Sequence, residues 1–480
     1  MLEPSRSRGG HSWPEPTAID KQPIPWLTMI LIGGLLYVVG HRLDFSVAGD
    51  WSTSFVTSAE SIAEGSPRRR LGYMLLGLWG IGTMVVRHPR YKLRLDGLLP
   101  WFALGFLCWA ALSLLWAADF ALAFRRLVLL GIVIIAIIAT LRHFSLRDII
   151  LLMTLSSLAF ALIGVAAELM HGTFQPFSAG YRFAGTVHPN RQGMNLAVLV
   201  LGAVCLSKMR IERRHLFVIV AAMGLGLLVL TRSRTAAGAT LVALAMFAGV
   251  RSSPLRLIAM VLSISAVGLL TFFLIQNEAL STPWQIILMG RAEGVNEITQ
   301  TLSGRTELWE YLWTFVIERP VLGYGFNSFM SPERAGEMPL LVSWGVGEAH
   351  SLYLEILLGT GFIGLALFVA VLAGGVGRAL RWATRFRDPA FAFLVAYLVF
   401  IAVNGFLTAI TMFPDPKFTG LLVLGYVLLR DAKQEVAEAG SVPDAQWGEF
   451  PVAAQRGRGP GMPEWPPVPG SREPPHYPPR

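Results

Sequence analysis

Apolar residues run along the chain in blocks of roughly 15–25, parted by short stretches rich in Arg, Lys, Gly and Pro. At a rise of about 1.5 Å per residue, blocks of that size match the roughly 30 Å hydrocarbon core of a bilayer. The runs predict twelve helices, at about 24–40, 71–86, 98–116, 122–141, 148–169, 192–207, 215–230, 236–250, 257–275, 351–377, 391–411 and 417–429. The fold class expected is all-α, a polytopic membrane protein of about twelve transmembrane helices with one large loop at 276–350.

Orientation follows from where the cations fall, because short cytoplasmic loops collect Lys and Arg. Alternate loops hold Arg87, Arg90, Lys92 and Arg94; Arg142 and Arg147; Lys208, Arg210, Arg213 and Arg214; Arg251 and Arg256; and Arg378, Arg381, Arg385 and Arg387. These sixteen cations in five short loops place that set, and both termini, in the cytoplasm. The triplet Arg68-Arg69-Arg70 runs against the pattern. Residues 1–23 then form a cytoplasmic segment, 24–430 the transmembrane domain and 431–480 a cytoplasmic tail. The opposite, outer side receives 41–70, 170–191, the corner Thr231–Thr235 and the loop at 276–350.

Composition sharpens this reading. With 54% hydrophobic and 15% charged residues and a mean hydropathy of +0.54, a soluble enzyme is excluded. A net charge of +9 would suggest nucleic acid in a soluble protein, but here the cations are orientation signals and no nucleic-acid partner is expected. Cys108 and Cys205 both lie in apolar runs, so neither a disulfide framework nor a thiolate metal site is indicated. The polar, Pro-containing N-terminus has no apolar h-region before the first span, so no cleavable targeting segment is expected. Residues 443–480 hold eleven of the 29 prolines and read as a disordered, partly polyproline II tail. Pro463-x-x-Pro466 and Pro466-x-x-Pro469 could dock a polyproline-binding partner, although a passive tail is the simpler reading.

A loop of some 75 residues should hold structure of its own. Residues 306–318 place Leu308, Trp309, Leu312, Trp313 and Val316 on one helical stripe, with Glu307, Glu310, Thr314 and Glu318 away from it, and Pro320 ends the pattern. This predicts an amphipathic helix, lying on the membrane surface or packed against the bundle.

Four outer-face elements carry polar residues that hydropathy does not require. In Gly185-Thr186-Val187-His188-Pro189-Asn190-Arg191, His188, Asn190 and Arg191 are candidate substrate contacts, or simply a helix start capped by Asn190. The corner Thr231-Arg232-Ser233-Arg234-Thr235 holds two arginines, costly at bilayer depth and so expected at the interface or in a wet cavity. In Ser303-Gly304-Arg305 a guanidinium stands beside a helix N-terminus, where orphan N–H groups and the fork can converge on an anion. Gly347-Glu348-Ala349-His350 puts His350 at the water boundary of the tenth span, either as an interfacial polar residue or as a proton acceptor.

Two stretches, SGRTELWEYLWTFVIERPVLGYGFNSF at 303–329 and EAHSLYLEILLGTGFIGLALF at 348–368, resemble the signature region of the O-antigen ligase and polymerase superfamily of integral membrane glycosyltransferases. GTVHPNRQG at 185–193 and TRSRTA at 231–236 are similar to the same family in order and spacing. The resemblance covers about residues 180–370. One departure stands out, since the family pattern has Asn after the motif histidine and this chain has Ser351. The resemblance implies transfer of a glycan from undecaprenyl diphosphate to an acceptor at the periplasmic face. It implies that Arg234 and Arg305 bind the donor diphosphate, with Arg232 a weaker candidate, and that His350 assists the acceptor, with Ser351 beside it.

Those residue types suit that chemistry. A diphosphate leaving group calls for guanidinium forks. The attacking hydroxyl must lose a proton, which an imidazole can accept. No acidic DxD-like pair stands in the periplasmic loops, so neither a metal nor another cofactor is expected. A ligase and a polymerase differ in acceptor, lipid A-core or the growing glycan. A solute or bicarbonate transporter is the alternative of another class, and it would place charged residues near the middle of several spans. A membrane scaffold is the third. The topology is tested by a membrane-impermeant maleimide applied to intact cells carrying Thr301→Cys. Labelling is expected without permeabilisation, and labelling that needs permeabilisation overturns the orientation.

Overall fold

The computed structural model describes residues 25–41, 66–178, 181–209, 214–250, 305–337, 347–409 and 414–433. They fall in one of the two units into which the chain divides, Met1–Gly440; the other, Ser441–Arg480, lies outside the described residues. The described residues form thirteen helices and no strand. In chain order these are α1 (Trp26–Gly40), α2 (Pro67–Val86), α3 (Leu99–Leu112, continued by a 3-10 turn at Ser113–Trp116), α4 (Phe120–His143), α5 (Leu146–Met170), α6 (Pro189–Lys208), α7 (Arg214–Leu230), α8 (Arg234–Val250), α9 (Arg305–Glu318), α10 (Pro332–Glu337), α11 (Leu352–Phe386), α12 (Pro389–Asn404) and α13 (Pro414–Leu429).

Eleven of these helices fall on expected apolar runs; α9 falls on the amphipathic stretch expected at 306–318, α10 was not expected, and the ninth run, 257–275, lies outside the described residues, as do Ser303, Gly304 and the Pro-rich tail. Four segments, Leu99–Trp116, Phe120–His143, Leu146–Met170 and Leu352–Phe386, are long and apolar enough to cross a membrane by length and composition. Large apolar side chains face outward on the surrounding helices, among them Leu27, Ile30, Leu78, Val85, Leu115 and Ile219. A belt of this kind needs a lipid solvent. Arg68, Arg69 and Arg70 belong to the first turn of α2, so their charges sit at a helix end.

At the centre stands α12. From Ala390 to Tyr397 every side chain has no exposed surface, as expected of a helix that is apolar on all faces. It packs against α6, α8, α11 and α13. Local chemistry sets where the helices begin. Asp388 accepts from Ala390 N–H at 2.7 Å ahead of Pro389, Asp119 accepts from Leu122 N–H at 2.9 Å, and Ser145 and Asp148 form a capping box.

One helix is broken on purpose. Gly361 inside α11 has φ +65° and ψ −171°, a conformation open to glycine and almost closed to other residues. The carbonyls and N–H groups released there are paired by the segment 320–324. Phe362 N–H donates to Pro320 O at 2.8 Å, and Tyr324 N–H donates to Leu358 O at 2.8 Å. From α3, Trp109 Nε1–H donates to Thr360 O at 2.9 Å. Leu322-Gly323-Tyr324-Gly325 is thus the counterpart of Gly359-Thr360-Gly361, two parts of the family-like pattern that fit each other in space. The approach is close because Gly323 (φ +66°) has no Cβ; one built there would stand 2.7 Å from both Gly361 N and Leu358 O.

Gly323→Ala combines left-handed strain with backbone overlap and is expected to cost about 2–4 kcal/mol. Gly97→Ala, with φ +80° and nothing within 4 Å of the new methyl, carries the strain alone, about 1–2 kcal/mol. Thermal unfolding in detergent checks this; equal midpoints for the two variants would remove the interlock as a stabilising element.

Candidate functional site

Loops that the sequence assigns to one side do meet at one end of the bundle. The α3–α4 corner joins the 320s segment through Trp116 Nε1–H to Leu322 O at 3.1 Å and Ala118 N–H to Tyr324 O at 2.8 Å. The end of α12 joins the start of α11 through Leu352 N–H to Gly405 O at 2.7 Å. From α4, the Arg126 Nη1–H donates to the carbonyl of Asn327.

The 181–188 segment is organised around one carboxylate. Glu168, near the end of α5, is 1% exposed. Its Oε1 accepts from Ala184 N–H at 2.9 Å and Gly185 N–H at 2.7 Å, and its Oε2 accepts from the Tyr181 hydroxyl. Burial, together with that acceptor, pushes the Tyr181 phenol up, so it stays a donor. Phe183 N–H donates to Leu230 O at 2.8 Å and ties the segment to the end of α7.

Arg182, between these anchors, bridges two of the motifs. Its Nε–H donates to Thr231 O at 3.0 Å, in the arginine corner, and its Nη2–H donates to Asn190 Oδ1 at 2.8 Å. The corner itself is tight: Arg232 has φ +51°, Ser233 N–H donates to Thr231 Oγ1 at 3.1 Å, and Arg234 is the first residue of α8. Arg191 is buried in the first turn of α6.

The helix expected at 306–318 is present as α9, with Leu308, Leu312 and Val316 buried against Leu354, Leu357 and Leu358 of α11. Trp313 departs from the expected stripe: it is 47% exposed, alongside Ile317, so the packed face is narrower than the sequence pattern. Trp309, on the other edge, donates Nε1–H to Ala349 O at 2.9 Å. Arg305 begins α9.

Two histidines stand at this end, with opposite tautomers. His188 is the N-cap of α6, its Nδ1 accepting from Asn190 N–H at 3.1 Å. The expected cap was Asn190; the imidazole takes that place because Pro189 holds the first helical position and Asn190 Oδ1 is engaged by Arg182. A lone pair on Nδ1 puts the proton of a neutral ring on Nε2. Burial pushes this imidazole down to about 3, and the guanidinium groups of Arg182 and Arg305 nearby act in the same direction. His188 is therefore a neutral N–H donor.

His350 is the reverse case. Its Nδ1 lies 3.1 Å from Glu348 Oε1, so the carboxylate holds the ring proton on Nδ1 and the lone pair belongs to Nε2. The residue has φ +51°. Ser351 follows, and its hydroxyl caps α11 by accepting from Leu354 N–H at 3.4 Å; the ring's partner is Glu348. One end of the bundle thus gathers a neutral N–H donor, a carboxylate-paired imidazole and several guanidinium groups. The set can hold a polyanion and accept a proton.

Of the residues anticipated from sequence, His188, Arg305 and His350 are brought together, and Asn190 and the Arg232–Arg234 corner are linked to them through Arg182. Arg182, Glu168 and Glu348 had not been singled out. Glu168 carries the one sequence signal that could have found it, a carboxylate inside an otherwise apolar run.

Residues 217–369 match the family model described as O-antigen ligase. The matched segment contains Arg232, Arg234, Arg305, His350 and Ser351. No curated protein matches the chain.

The depressed His188 pKa makes a stability prediction. Below about pH 6.5 an unfolded imidazole takes up a proton that the folded one refuses until about pH 3. Stability from this group is therefore present above pH 6.5 and lost as pH falls. Between pH 7 and pH 5 the loss is about 2 kcal/mol. His188→Asn, which keeps a capping side chain, should show a correspondingly smaller acid loss in detergent unfolding; identical pH dependence would mean that His188 titrates normally.

Proposed function

With an O-antigen ligase domain at residues 217–369, the chain stands in the O-antigen ligase/polymerase superfamily of membrane enzymes, and we propose that it transfers a glycan from undecaprenyl diphosphate to an acceptor hydroxyl at the periplasmic face of the inner membrane. The observation that carries this reading is the meeting of His350 and its Glu348 partner with Arg305, Arg182 and His188, contributed by segments far apart in sequence.

In the proposed reaction the acceptor oxygen attacks the anomeric carbon, and the bond from that carbon to the diphosphate oxygen breaks, its electron pair leaving with the diphosphate. The hydroxyl proton passes to Nε2 of His350, while Glu348 stabilises the imidazolium through Nδ1–H. Arg305 and Arg234 neutralise the charge that develops on the leaving group, and Nε2–H of His188 adds a neutral donor. Guanidinium forks supply this charge, so transfer is proposed to proceed without a metal ion. A ligase using lipid A-core as acceptor is the primary reading; polymerisation of the glycan would use the same groups on a different acceptor.

Transport is the weaker reading. Buried or half-buried charges on the spans sit near helix ends, with Glu168 close to the end of α5, Glu355 in the first turn of α11 and Arg126 in the second turn of α4, whereas a transporter concentrates them at the midplane.

Transfer assayed in a deletion strain and with purified protein tests the assignment. Arg305→Ala and Arg234→Ala should lose nearly all activity, and Arg305→Lys, which keeps the charge but not the planar fork, should retain a part. His350→Ala should fall by about 10²–10⁴-fold, with EDTA leaving wild type unchanged. Full activity of both alanine variants of arginine at normal expression would remove them from the reaction. If His350→Ala matched wild type while His188→Ala lost activity, the proton acceptor would have to be sought at His188.

A further inference from the structure

Ala349, the residue before His350, has no exposed surface, and both of its backbone polar groups are held by side chains. Its N–H donates to Glu355 Oε2 at 2.9 Å. Its carbonyl accepts from Trp309 Nε1–H at 2.9 Å. Glu355 is buried in the first turn of α11, and Glu355 N–H in turn donates to Ser351 O at 2.9 Å. Trp309 comes from α9, which packs on α11 through Leu308, Leu312 and Val316.

The carbonyl of Ala349 lies in the same peptide plane as the nitrogen of His350, so fixing it fixes the plane about which φ of His350 turns. That φ is +51°, a left-handed value that a residue with a Cβ keeps only when its surroundings over-determine it. On the far side, Ser351 is held by its helix cap and Leu352 N–H by Gly405 O. The imidazole is therefore presented from a turn clamped at both ends, and Glu355 and Trp309 supply the upstream clamp.

We propose that Glu355 and Trp309 are positioning residues for His350: by holding the two polar groups of Ala349 they keep His350 left-handed, with Nδ1 on Glu348 and Nε2 directed to the acceptor. This rests on the reading of His350 as proton acceptor. Neither side chain needs to touch substrate. Their loss should lower the rate of the chemical step and leave donor affinity intact.

The test uses full-length protein in detergent with an undecaprenyl diphosphate-linked glycan as donor, and hydrogen exchange at the Ala349 amide as a readout independent of activity. Glu355→Leu and Trp309→Phe should each lower kcat by about 10–100-fold, with KM for the donor within about twofold and exchange over 347–352 accelerated. Glu355→Gln keeps an acceptor oxygen in place and should recover most of the lost rate and protection. Trp309→Phe guards against a Glu355→Leu protein that does not fold. Unchanged kcat or unchanged exchange in a folded Glu355→Leu or Trp309→Phe variant overturns the proposal, as does a Glu355→Gln variant no better than Glu355→Leu. Accelerated exchange with His350→Ala as active as wild type supports the clamp while removing His350 from the chemistry.

Discussion

A backbone group inside a lipid-solvated bundle has no water to fall back on, and leaving one unpaired costs several kcal/mol. Three irregular segments among the described residues are shaped by that constraint. Where α11 breaks, the segment 320–324 and Trp109 supply the missing partners. Where the chain turns before His350, Glu355 and Trp309 do so. Where residues 181–185 leave the helical ladder, the Glu168 carboxylate accepts two backbone N–H groups and a phenol. The irregular segments are also the ones that carry the proposed site, so in that reading the devices that satisfy the backbone also aim the side chains.

The two histidines show how far local pairing decides chemical role. They share one end of the bundle and differ in what Nδ1 meets: a backbone N–H at His188, a carboxylate at His350. The first partner makes the ring a neutral donor and the second makes it a proton acceptor. Positive groups around His188 reinforce the difference, because an imidazolium beside Arg182 and Arg305 would be repelled.

Much of the bundle was legible in the sequence because lipid-spanning helices need long apolar runs, and such runs leave an unmistakable periodicity of blocks and loops. Arg305 and His350 were legible because they lie in short motifs with a recognisable family pattern. Arg182 and Glu168 were not, since their significance lies in partners 8 to 49 residues away in sequence, at Thr231, Asn190 and Ala184, and no periodicity records such pairings. The Asn190 cap was misassigned for the same reason: Asn is the better cap by intrinsic preference, but its side chain is engaged by Arg182. Trp313 was placed on the packed face by helical spacing, but α9 buries the narrower stripe of Leu308, Leu312 and Val316 against Leu354, Leu357 and Leu358 of α11.

The break at Gly361 divides α11 into two mechanical bodies. Before it, Leu352 N–H donates to Gly405 O and Leu358 O accepts from Tyr324 N–H; beyond it, Arg378 donates to the carbonyls of Leu428 and Arg430 near the far end. A helix interrupted in this way couples its two halves less directly than an unbroken one would. Under the proposed reaction, substitutions before Gly361 would alter the surface offered to an acceptor while the helices beyond it keep their packing, so specificity would diversify without a new fold.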